Sequence, residues 1–464
     1  MSESENSTLS LHFKAVIAAL WTGNLFAPFL MSGVAAILPS IGDSLGAPAV
    51  MLSLIMVCYN LGQSISHMLS GRIADMFGVK RILLAGVGCF CLFSVFMGLA
   101  PSMGVLIPLR FAQGIAAAAI SCTVTTLSVT LAPANIRGQV ISIVVSAVYL
   151  GLAIGPLACG GLTELVGWRA VFFLIAALSL AELALLHHVI PVQPQEGRRR
   201  SFDGISACLG AGGLFCVTAG VTCTFLHPAV IVLLPAGIVL MVAFVRREWT
   251  ASDPMLDLKI LADVPGLPDG MAATFINYGS FMGLSLFFSL YLQQVLGLNA
   301  FHAGMILMMQ SLFQTVFSPL AGRMADRYHP GVVSTSGMAV CGLSILSLML
   351  LTDSSPVWQV ALSQAALGTG AAFFVAPNMS ATLGNVPREQ LSVASGLLGC
   401  LRTMGGLMSH IIMSCMIGIF MGDTAVGPES AGTFLHAMRY TLLLFGTLNL
   451  MGVGLSLRAL RHHR

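Results

Sequence analysis

Long apolar stretches follow one another along the whole chain, and they constrain its fold more than any other feature. Of the 464 residues, 56% are hydrophobic and only 8% are charged, whereas roughly a quarter are charged in a soluble globular chain. A helix needs about 20 apolar residues to cross the hydrocarbon of a bilayer. Fourteen stretches meet this requirement, so the sequence predicts an all-α polytopic membrane protein. They cover approximately residues 14–38, 49–70, 81–100, 103–130, 139–163, 169–190, 204–224, 227–245, 268–292, 301–321, 331–351, 356–377, 392–421 and 434–458.

The positions of the basic residues test this count and predict an orientation. If the N-terminus is cytoplasmic, 17 of the 21 Lys and Arg residues fall on the cytoplasmic side. Only Arg169 and Arg439 fall at outer ends, and the remaining two lie within spans. Because basic residues concentrate in cytoplasmic loops, we expect a multi-pass protein of the bacterial inner (plasma) membrane with both termini in the cytoplasm. The 17 residues are Lys14, Arg72, Lys80, Arg81, Arg137, Arg198, Arg199, Arg200, Arg246, Arg247, Lys259, Arg323, Arg327, Arg388, Arg458, Arg461 and Arg464.

A short charged segment occurs twice and divides the chain. Residues 71–81 read GRIADMFGVKR, and residues 322–331 read GRMADRYHPG. Their first glycines are 251 residues apart, whereas six spans with their loops take about 190 residues. The surplus of about 60 residues matches the seventh and eighth spans, so we predict two six-helix bundles around an insertion. The N-terminal bundle is residues 1–190, the cytoplasmic linker and two-helix insertion are 191–265, and the C-terminal bundle is 266–464.

The first copy of this segment is predicted to join the second and third spans at the cytoplasmic face. Gly71 and Gly78 permit a tight backbone there. Asp75 lies at a helix end, where its carboxylate can meet the N-terminus of a neighbouring helix or an arginine. A basic anchor at a short turn is the simpler interpretation, but it explains neither Asp75 nor the second copy. The basic residues that can pair with Asp75 are Arg72, Lys80 and Arg81.

This segment resembles the signature loop between spans 2 and 3 of the major facilitator superfamily. The fourteen-span layout is similar to that of its fourteen-spanner drug–proton antiporter family. The resemblance implies a fold of two six-helix bundles with a two-helix insertion. It also implies that Asp75 latches the cytoplasmic ends of the bundles in the outward-facing state, with Asp326 as a weaker counterpart.

Further motifs occur in the order that the family has them. RFAQG at 110–114 matches the span 4 pattern R-x-x-Q-G. GLAIGPLACGG at 151–161 resembles the glycine–proline motif that marks antiporters on span 5, with Cys159 in place of its first paired glycine. Residues 394–406 resemble the family's span 13, and residues 290–304 resemble its span 9–10 connection.

Two arginines within spans are candidates for coupling or substrate binding. Arg110 lies about seven residues into the fourth span, where a charge costs several kcal/mol unless it is paired or hydrated. The resemblance implies that Arg110 takes part in proton coupling or substrate contact, and Gln113 follows it closely. Snorkelling to the outer interface is the alternative. Arg402 is the second intramembrane arginine.

Small residues on the fifth span predict a helix seam. The four-residue spacing of Gly151 and Gly155 lets another helix approach closely, and Gly160 continues the pattern. Pro156 removes one backbone hydrogen bond and bends the helix. We expect this seam to pack and release during transport, so Gly155→Leu should block closure. Ordinary small-residue packing is the alternative.

The first span lacks an acid that relatives in this family usually carry there. Leu30 stands at the matching position, ahead of Leu38 and Pro39. Glu182 in the sixth span is a candidate replacement, and a snorkelling acid is its alternative. His67 and His410 could also carry a proton, although each is more often a packing residue. Without that acid, we expect poor handling of dications and better handling of neutral or anionic amphiphiles.

The most favoured function is secondary transport, namely proton-coupled efflux of amphipathic small molecules of the multidrug type. Uptake or facilitated passage of an anionic or neutral metabolite is the alternative. A membrane enzyme or sensor is disfavoured, because no HExxH, nucleophile elbow, Walker loop or soluble domain is found. We expect a monomer with no catalytic residue, cofactor or metal. The net charge of +3 gives no reason to expect nucleic acid as a partner.

Overall fold

The structure, a computed structural model, consists of helices joined by short connections. Its described residues contain no β-strand, and 14 helical segments are long and apolar enough to cross a membrane. The predicted all-α fold with fourteen spans is therefore confirmed. Hydrocarbon offers no hydrogen-bond partners, so a spanning segment must pair its own backbone N–H and C=O groups, as a helix does. The described residues are 3–131, 137–191, 203–225, 227–251, 254, 256, 258–384, 386–387, 391–422 and 426–461.

The N-terminal bundle contains seven helices, because its first span is made of two. α1 and α2 together form the span Phe13–Leu45, and each later helix forms one span. The bounds are α1 Glu3–Gly23, α2 Phe26–Leu45, α3 Ala49–Phe77, α4 Val79–Gly98, α5 Met103–Thr130, α6 Arg137–Val166 and α7 Trp168–Val189.

The insertion is a helical hairpin followed by a short helix. The predicted linker before it falls mostly on residues outside those described, so its boundaries at 191 and 265 stay predictions. The bounds are α8 Gly204–Thr222, α9 Leu233–Thr250 and α10 Ile260–Asp263.

The C-terminal bundle also begins with a divided span. α11, α12 and a π-helical turn at Tyr291–Val295 form the span Leu267–Val295, and each later helix forms one span. The bounds are α11 Leu267–Phe281, α12 Leu284–Leu290, α13 Ala300–Arg327, α14 Pro330–Ser347, α15 Val357–Leu383, α16 Leu391–Met421 and α17 Ala431–Arg461.

The helix ends form two faces, which we name by their charge. The basic face carries Lys80 and Arg81 at the start of α4, together with the first residues of α1 and the last residues of α17. The opposite face carries Asp43 near the end of α2 and Glu164 near the end of α6.

The insertion packs over one side of the boundary between the bundles. Phe215 of α8 meets Phe111 of α5 edge to face, with ring centroids 6.4 Å apart. The ring of Phe225, after α8, lies 2.3 Å from where a Cβ on Gly418 of α16 would stand. The hairpin therefore contacts both bundles. The buried residues that it shares with α3 and α16 are Val57, Leu61, Ile65, Leu214, Leu407 and Ile411.

An ion pair fixes the basic end of this hairpin. Asp203 accepts hydrogen bonds from the backbone amides of Ile205 and Ser206 at the start of α8. Its carboxylate oxygens lie 2.9 Å and 3.1 Å from Nε and Nη2 of Arg247 in α9. The hydrogen bond from Arg247 holds the pKa of the Asp203 carboxyl well below its usual range.

The chain after α9 then returns to the end of α3. Glu248 is fully buried, and its Oε2 accepts a hydrogen bond of 2.7 Å from the Leu256 amide. Arg72 donates from Nη2 to the Pro254 carbonyl oxygen at 2.5 Å. One basic residue of the repeated segment thus binds the connection between the insertion and the C-terminal bundle.

The repeated segment at 71–81 is mainly helical, which corrects the predicted loop. α3 continues through Gly71 to Phe77, and only Gly78 turns the chain, with φ +95°. A positive φ is accessible to glycine because it has no Cβ. Gly71 therefore supports no tight turn.

Candidate functional site

The first span of the N-terminal bundle is interrupted near its middle. α1 ends at Gly23 and α2 begins at Phe26. The side-chain amide of Asn24 donates to the Val144 carbonyl of α6, with an Nδ2–O distance of 3.1 Å. A polar side chain thus fastens the interruption to a neighbouring helix.

The ninth span, which is the first of the C-terminal bundle, is interrupted in the same way. α11 ends at Phe281, and α12 begins at Leu284. The amide of Gly283 donates to Oγ of Ser409 in α16 at 2.8 Å. Interrupted spans at corresponding positions of two repeats point to a substrate site near the midplane.

Close backbone contact joins the two bundles near the opposite face. A Cβ on Gly160 of α6 would lie 2.4 Å from the carbonyl oxygen of Ala300 in α13. A Cβ on Gly304 of α13 would lie 2.4 Å from the carbonyl oxygen of Pro156 in α6. Glycine at both positions lets the two helices touch through their backbones.

Hydrogen bonds between the bundles reinforce this contact. Gln293 donates from Nε2 to the Ala36 carbonyl of α2 at 2.7 Å. Glu164 accepts from the Phe301 amide at 2.8 Å and from Nδ2 of Asn299 at 3.1 Å, at the start of α13. A carboxylate at a helix N-terminus interacts favourably with the helix dipole. The opposite face is therefore sealed in this structure.

The contact between α3 and α16 runs from the opposite face to mid-depth. Ser53 and Ser414 hydroxyls lie 2.7 Å apart, and Ser64 donates to the Thr403 carbonyl at 3.3 Å. Gly399 and Gly396 lie one and two turns beyond Thr403 on the same face of α16. A Cβ on either would meet nothing within 4 Å. The two helices therefore separate toward the basic face.

The α13 helix shows the same change along its length. Gly322 lies 18 residues after Gly304, which is five turns at 3.6 residues per turn, so both share one helix face. Gly304 touches α6, whereas a Cβ on Gly322 would meet nothing within 4 Å. Among the residues that the structure describes, the boundary between the bundles is thus closed at the opposite face and open at the basic face.

Arg110 is fully buried, so it does not snorkel to an interface. Its Nη1 donates to Oε1 of Gln113 at 2.7 Å, and Gln113 donates to Oγ of Ser94 at 2.9 Å. The guanidinium carbon lies 4.5 Å from the ring centroid of Tyr59. Nε and Nη2 have no hydrogen-bond partner within the described part of the chain. The structure thus brings Arg110 and Gln113 together.

Arg402 differs from Arg110 in being exposed. It lies eleven residues from the start of α16, about 16 Å at 1.5 Å per residue. Its guanidinium carbon lies 5.9 Å from the ring centroid of Tyr278 in α11. Because a charged side chain at this depth must be paired or hydrated, we expect Arg402 to face water between the helices.

Glu182 of α7 points toward the interruption in the first span. Its side chain is only 4% exposed, and Oε1 would lie 3.2 Å from a Cβ on Gly23. The Thr22 hydroxyl donates to the Ala18 and Ala19 carbonyl oxygens, and Oε1 of Glu182 has no hydrogen-bond partner among the described residues. The carboxyl is therefore buried inside the N-terminal bundle rather than snorkelling.

The two candidate histidines both have hydrogen-bond partners. His67 Nε2 lies 3.3 Å from the Ser121 hydroxyl, and His410 Nδ1 lies 2.8 Å from the Gly406 carbonyl oxygen. Leu30 is fully buried in apolar surroundings, so the first span has an apolar side chain at the position that matches the family's acid.

The predicted glycine seam serves two different contacts. Gly151 and Gly155 face the first span of the same bundle. A Cβ on Gly151 would lie 2.6 Å from the Leu25 carbonyl oxygen, just before α2, and a Cβ on Gly155 would lie 2.3 Å from the Phe29 carbonyl oxygen in α2. Gly160, with Pro156, faces the other bundle, and a Cβ on the next residue, Gly161, would lie 3.2 Å from the ring of Phe301 in α13. We therefore place any closing movement at Gly160 and expect Gly151 and Gly155 to act in folding.

Gly155→Ala should destabilise the N-terminal bundle. The added methyl group overlaps the α2 backbone, and overpacking of this kind costs about 1–3 kcal/mol. Gly88→Ala is the matched control, since its Cβ would lie 3.8 Å from the nearest atom, Cδ2 of Leu183. Thermal unfolding in detergent should show a lower midpoint for Gly155→Ala alone. Equal midpoints for the two variants would contradict this contact.

The repeated segment is described only in part. Lys80 donates from Nζ to the carbonyl oxygens of His187 and Ile190 at the end of α7, and Arg81 is exposed. The side chains of Asp75 and Asp326 lie outside those described, so their predicted latch role stays a prediction.

Four residues that join or support the spans do not follow from the sequence analysis. Gln293, Asn299 and Glu164 join the bundles, and Ser409 supports the interruption in the ninth span. Gln293 and Asn299 lie within the LYLQQVLGLNAFHAG stretch, which was a signal for a connection but not for a contact with α2 or α6.

Comparison with known proteins agrees with this architecture. The family model described as Major Facilitator Superfamily matches residues 20–410, and a second match covers residues 270–463. The two matches overlap and together reach almost the whole chain.

Curated relatives include proteins named for resistance and export. The chain is 27% identical over 418 residues to the tetracenomycin C resistance and export protein of Streptomyces glaucescens, covering 86% of this chain and 77% of that protein. It is 28% identical over 391 residues to the multidrug resistance protein Stp of Mycobacterium tuberculosis, covering 83% and 72%. It is 26% identical over 442 residues to the methylenomycin A resistance protein of Streptomyces coelicolor, covering 93% and 90%.

Proposed function

This chain belongs to the major facilitator superfamily, and we propose that it is a secondary transporter that exports amphipathic small molecules in exchange for protons. The observation that carries the proposal is the closed opposite face combined with the open basic face. Such a state gives access to the mid-depth site from one side only, which is one half of an alternating-access cycle.

The direction of transport follows from the orientation. Basic residues concentrate on the cytoplasmic side of membrane proteins, so we assign the basic face to the cytoplasm of a bacterial inner membrane. The structure then corresponds to a state loaded from the cytoplasm. Release requires the contact at Gly160 and Gly304 to open and the basic face to close.

The site residues divide among five roles in this proposal. Glu182 exchanges the proton, and Arg110 with Gln113 forms a buried polar group that takes part in coupling or substrate contact. Arg402 contacts substrate. Gly160 and Pro156 form the releasing contact, and Asp75 and Asp326 latch the basic face when it closes. We propose that one chain suffices, because both bundles of the pathway belong to it.

The names of relatives support an export direction. One is called a resistance and export protein, and others are named for resistance to drugs or to methylenomycin A. Tetracenomycin C and methylenomycin A are therefore reasonable first compounds to test.

A second candidate is facilitated passage of an anionic or neutral metabolite. The observation that favours it is the first span, which has Leu30 in place of an acid. This candidate keeps the same fold and pathway but needs no proton.

A flux assay distinguishes the two candidates. The purified chain is reconstituted in proteoliposomes, and movement of tetracenomycin C and methylenomycin A is followed with and without an imposed pH gradient. Proton-coupled export predicts accumulation against a concentration gradient only when the pH gradient is present. If the compound only equilibrates across the membrane, at the same rate with and without the pH gradient, facilitated passage replaces the proposal.

A further inference from the structure

We propose that Arg402, Tyr278 and Tyr149 form a binding site for an aromatic compound that carries one anionic group, such as a carboxylate. The proposal rests on the proposed transport function and names the class of compound that the mid-depth site prefers.

Four elements from both bundles meet at this site. Arg402 belongs to α16 and Tyr278 to α11, and both lie eleven residues from the basic end of their helix. Tyr149 of α6 and His67 of α3 are each close enough to Arg402 for electrostatic interaction. The site therefore lies between the bundles, where a bound compound would contact both.

The Arg402 guanidinium is available to a ligand. Among the side chains that the structure describes, Arg402 forms no hydrogen bond or ion pair. Its contact with the Tyr278 ring is long, at 5.9 Å to the centroid, and the side chain is exposed. A guanidinium can donate two parallel hydrogen bonds to a carboxylate. An alkylammonium group has no acceptor atom, so it cannot bind the guanidinium in this way.

The surrounding groups favour an aromatic ring beside that anion. Tyr149 lies within electrostatic range of both Tyr278 and Arg402, and Tyr278 is the nearer ring to the guanidinium in the structure. Tyr278 is 8% exposed and packs 5.6 Å from Phe281, so its ring is held in place. Aromatic faces offer a large contact area to a planar ring.

The charge of this region opposes cations. Arg402 and the buried Arg110 carry positive charge within the spans, and the only acid of the first span, Asp43, lies at the opposite face. Glu182 is turned into the N-terminal bundle at Gly23. A cationic compound would lose hydration here without gaining a paired charge.

A matched series of probes tests the site in the full chain. Pyrenebutyrate, pyrenebutanol and pyrenebutylamine share one ring system and differ in charge at neutral pH. Binding to the protein in lipid nanodiscs is measured by fluorescence, and partition into protein-free nanodiscs is subtracted. We expect pyrenebutyrate to bind at least about tenfold more tightly than pyrenebutylamine, with pyrenebutanol between them.

Variants assign this preference to residues. Arg402→Gln should weaken pyrenebutyrate about tenfold and leave pyrenebutanol unchanged, which also shows that the variant is folded. Arg402→Lys keeps the charge without the planar fork and should give an intermediate affinity. Tyr278→Leu should weaken all three probes by a similar factor. Arg246→Gln removes one exposed positive charge on α9, outside the site, and is the matched control.

Two results would overturn the site. One is the absence of a preference for pyrenebutyrate in the parent protein, and the other is a preference that persists in Arg402→Gln. If Arg402→Gln does not fold, the parent series and Arg402→Lys decide. If the anion preference is absent but flux is proton-coupled, the binding site is wrong and the proposed function stands. If the anion preference is present but flux is not proton-coupled, the binding site stands and the proposed function is wrong.

Discussion

Gly304→Leu should abolish transport and hold the protein open at the opposite face. A Cβ at this position would already lie 2.4 Å from the Pro156 carbonyl oxygen, and a leucine side chain adds three further carbons. The atoms that face Gly304 belong to the α6 backbone, which cannot move aside as a flexible side chain can. The closed contact between α6 and α13 is therefore lost, and the state loaded from the basic face cannot form.

The chain offers a matched variant with the opposite consequence. Gly322 lies on the same face of α13 and is open to space in this state. Gly322→Leu should leave this state intact and hinder closure of the basic face, so transport stops with the opposite face sealed. Both variants should fall to a few per cent of parental transport or less, which corresponds to about 2 kcal/mol or more at the blocked step.

Thiol labelling separates the two trapped states. A cysteine replacing Gln294 reports on the opposite face, and one replacing Gly399 reports on the basic face, each in a chain without its native cysteines. Gly304→Leu should increase labelling at position 294 by an impermeant maleimide, whereas Gly322→Leu should preserve labelling at position 399. Normal transport in both variants, with parental labelling at position 294 in Gly304→Leu, would contradict the assigned gate.

Glu182→Gln should uncouple substrate movement from protons. The carboxyl is buried beside the interrupted first span, and no described charged side chain interacts with it. Glutamine keeps the shape and the hydrogen-bonding capacity but cannot release a proton. We expect the variant to lose accumulation driven by a pH gradient while it retains exchange of substrate for substrate.

Glu248→Gln is the control for this variant. Glu248 is also a fully buried acid, but it lies in the insertion and accepts a hydrogen bond from the Leu256 amide. Glutamine can accept the same bond, so coupling should persist. Equal loss of accumulation in both variants would attribute the effect to buried charge in general rather than to Glu182.

The sequence predicts the number of spans because each must contain about 20 apolar residues. It carries a signal for only one of the two interruptions: Pro28 cannot donate a helix hydrogen bond to the Asn24 carbonyl, whereas no proline follows Met282–Gly283 closely. The hydrogen bonds that support these sites come from distant helices, through Asn24 to α6 and through Ser409 to Gly283. Hydropathy records none of these tertiary contacts.

The glycine motif shows the same limit within one helix. Its spacing correctly predicts close approach, but not which helix approaches. Gly155 meets α2 of its own bundle, whereas Gly160, little more than one turn later, meets α13 of the other. The identity of the partner depends on how α6 lies between two helices, and this arrangement is set by the whole bundle.

Glu182 illustrates how orientation decides function. The sequence places an acid in the sixth span but does not say whether it faces lipid or protein. In the structure it lies against Gly23, and the absence of a side chain at Gly23 provides room for the carboxyl. Its candidate role depends on this placement beside the interrupted span.

The central claim is that substrate and proton move in opposite directions through one pathway, and proton movement driven by substrate tests it most directly. Proteoliposomes that enclose a pH-sensitive dye receive a transported compound on one side, with no pH gradient imposed. The account predicts proton flow opposite to the substrate in the parent protein and none in Glu182→Gln. Substrate entry without any proton movement in the parent protein would contradict it.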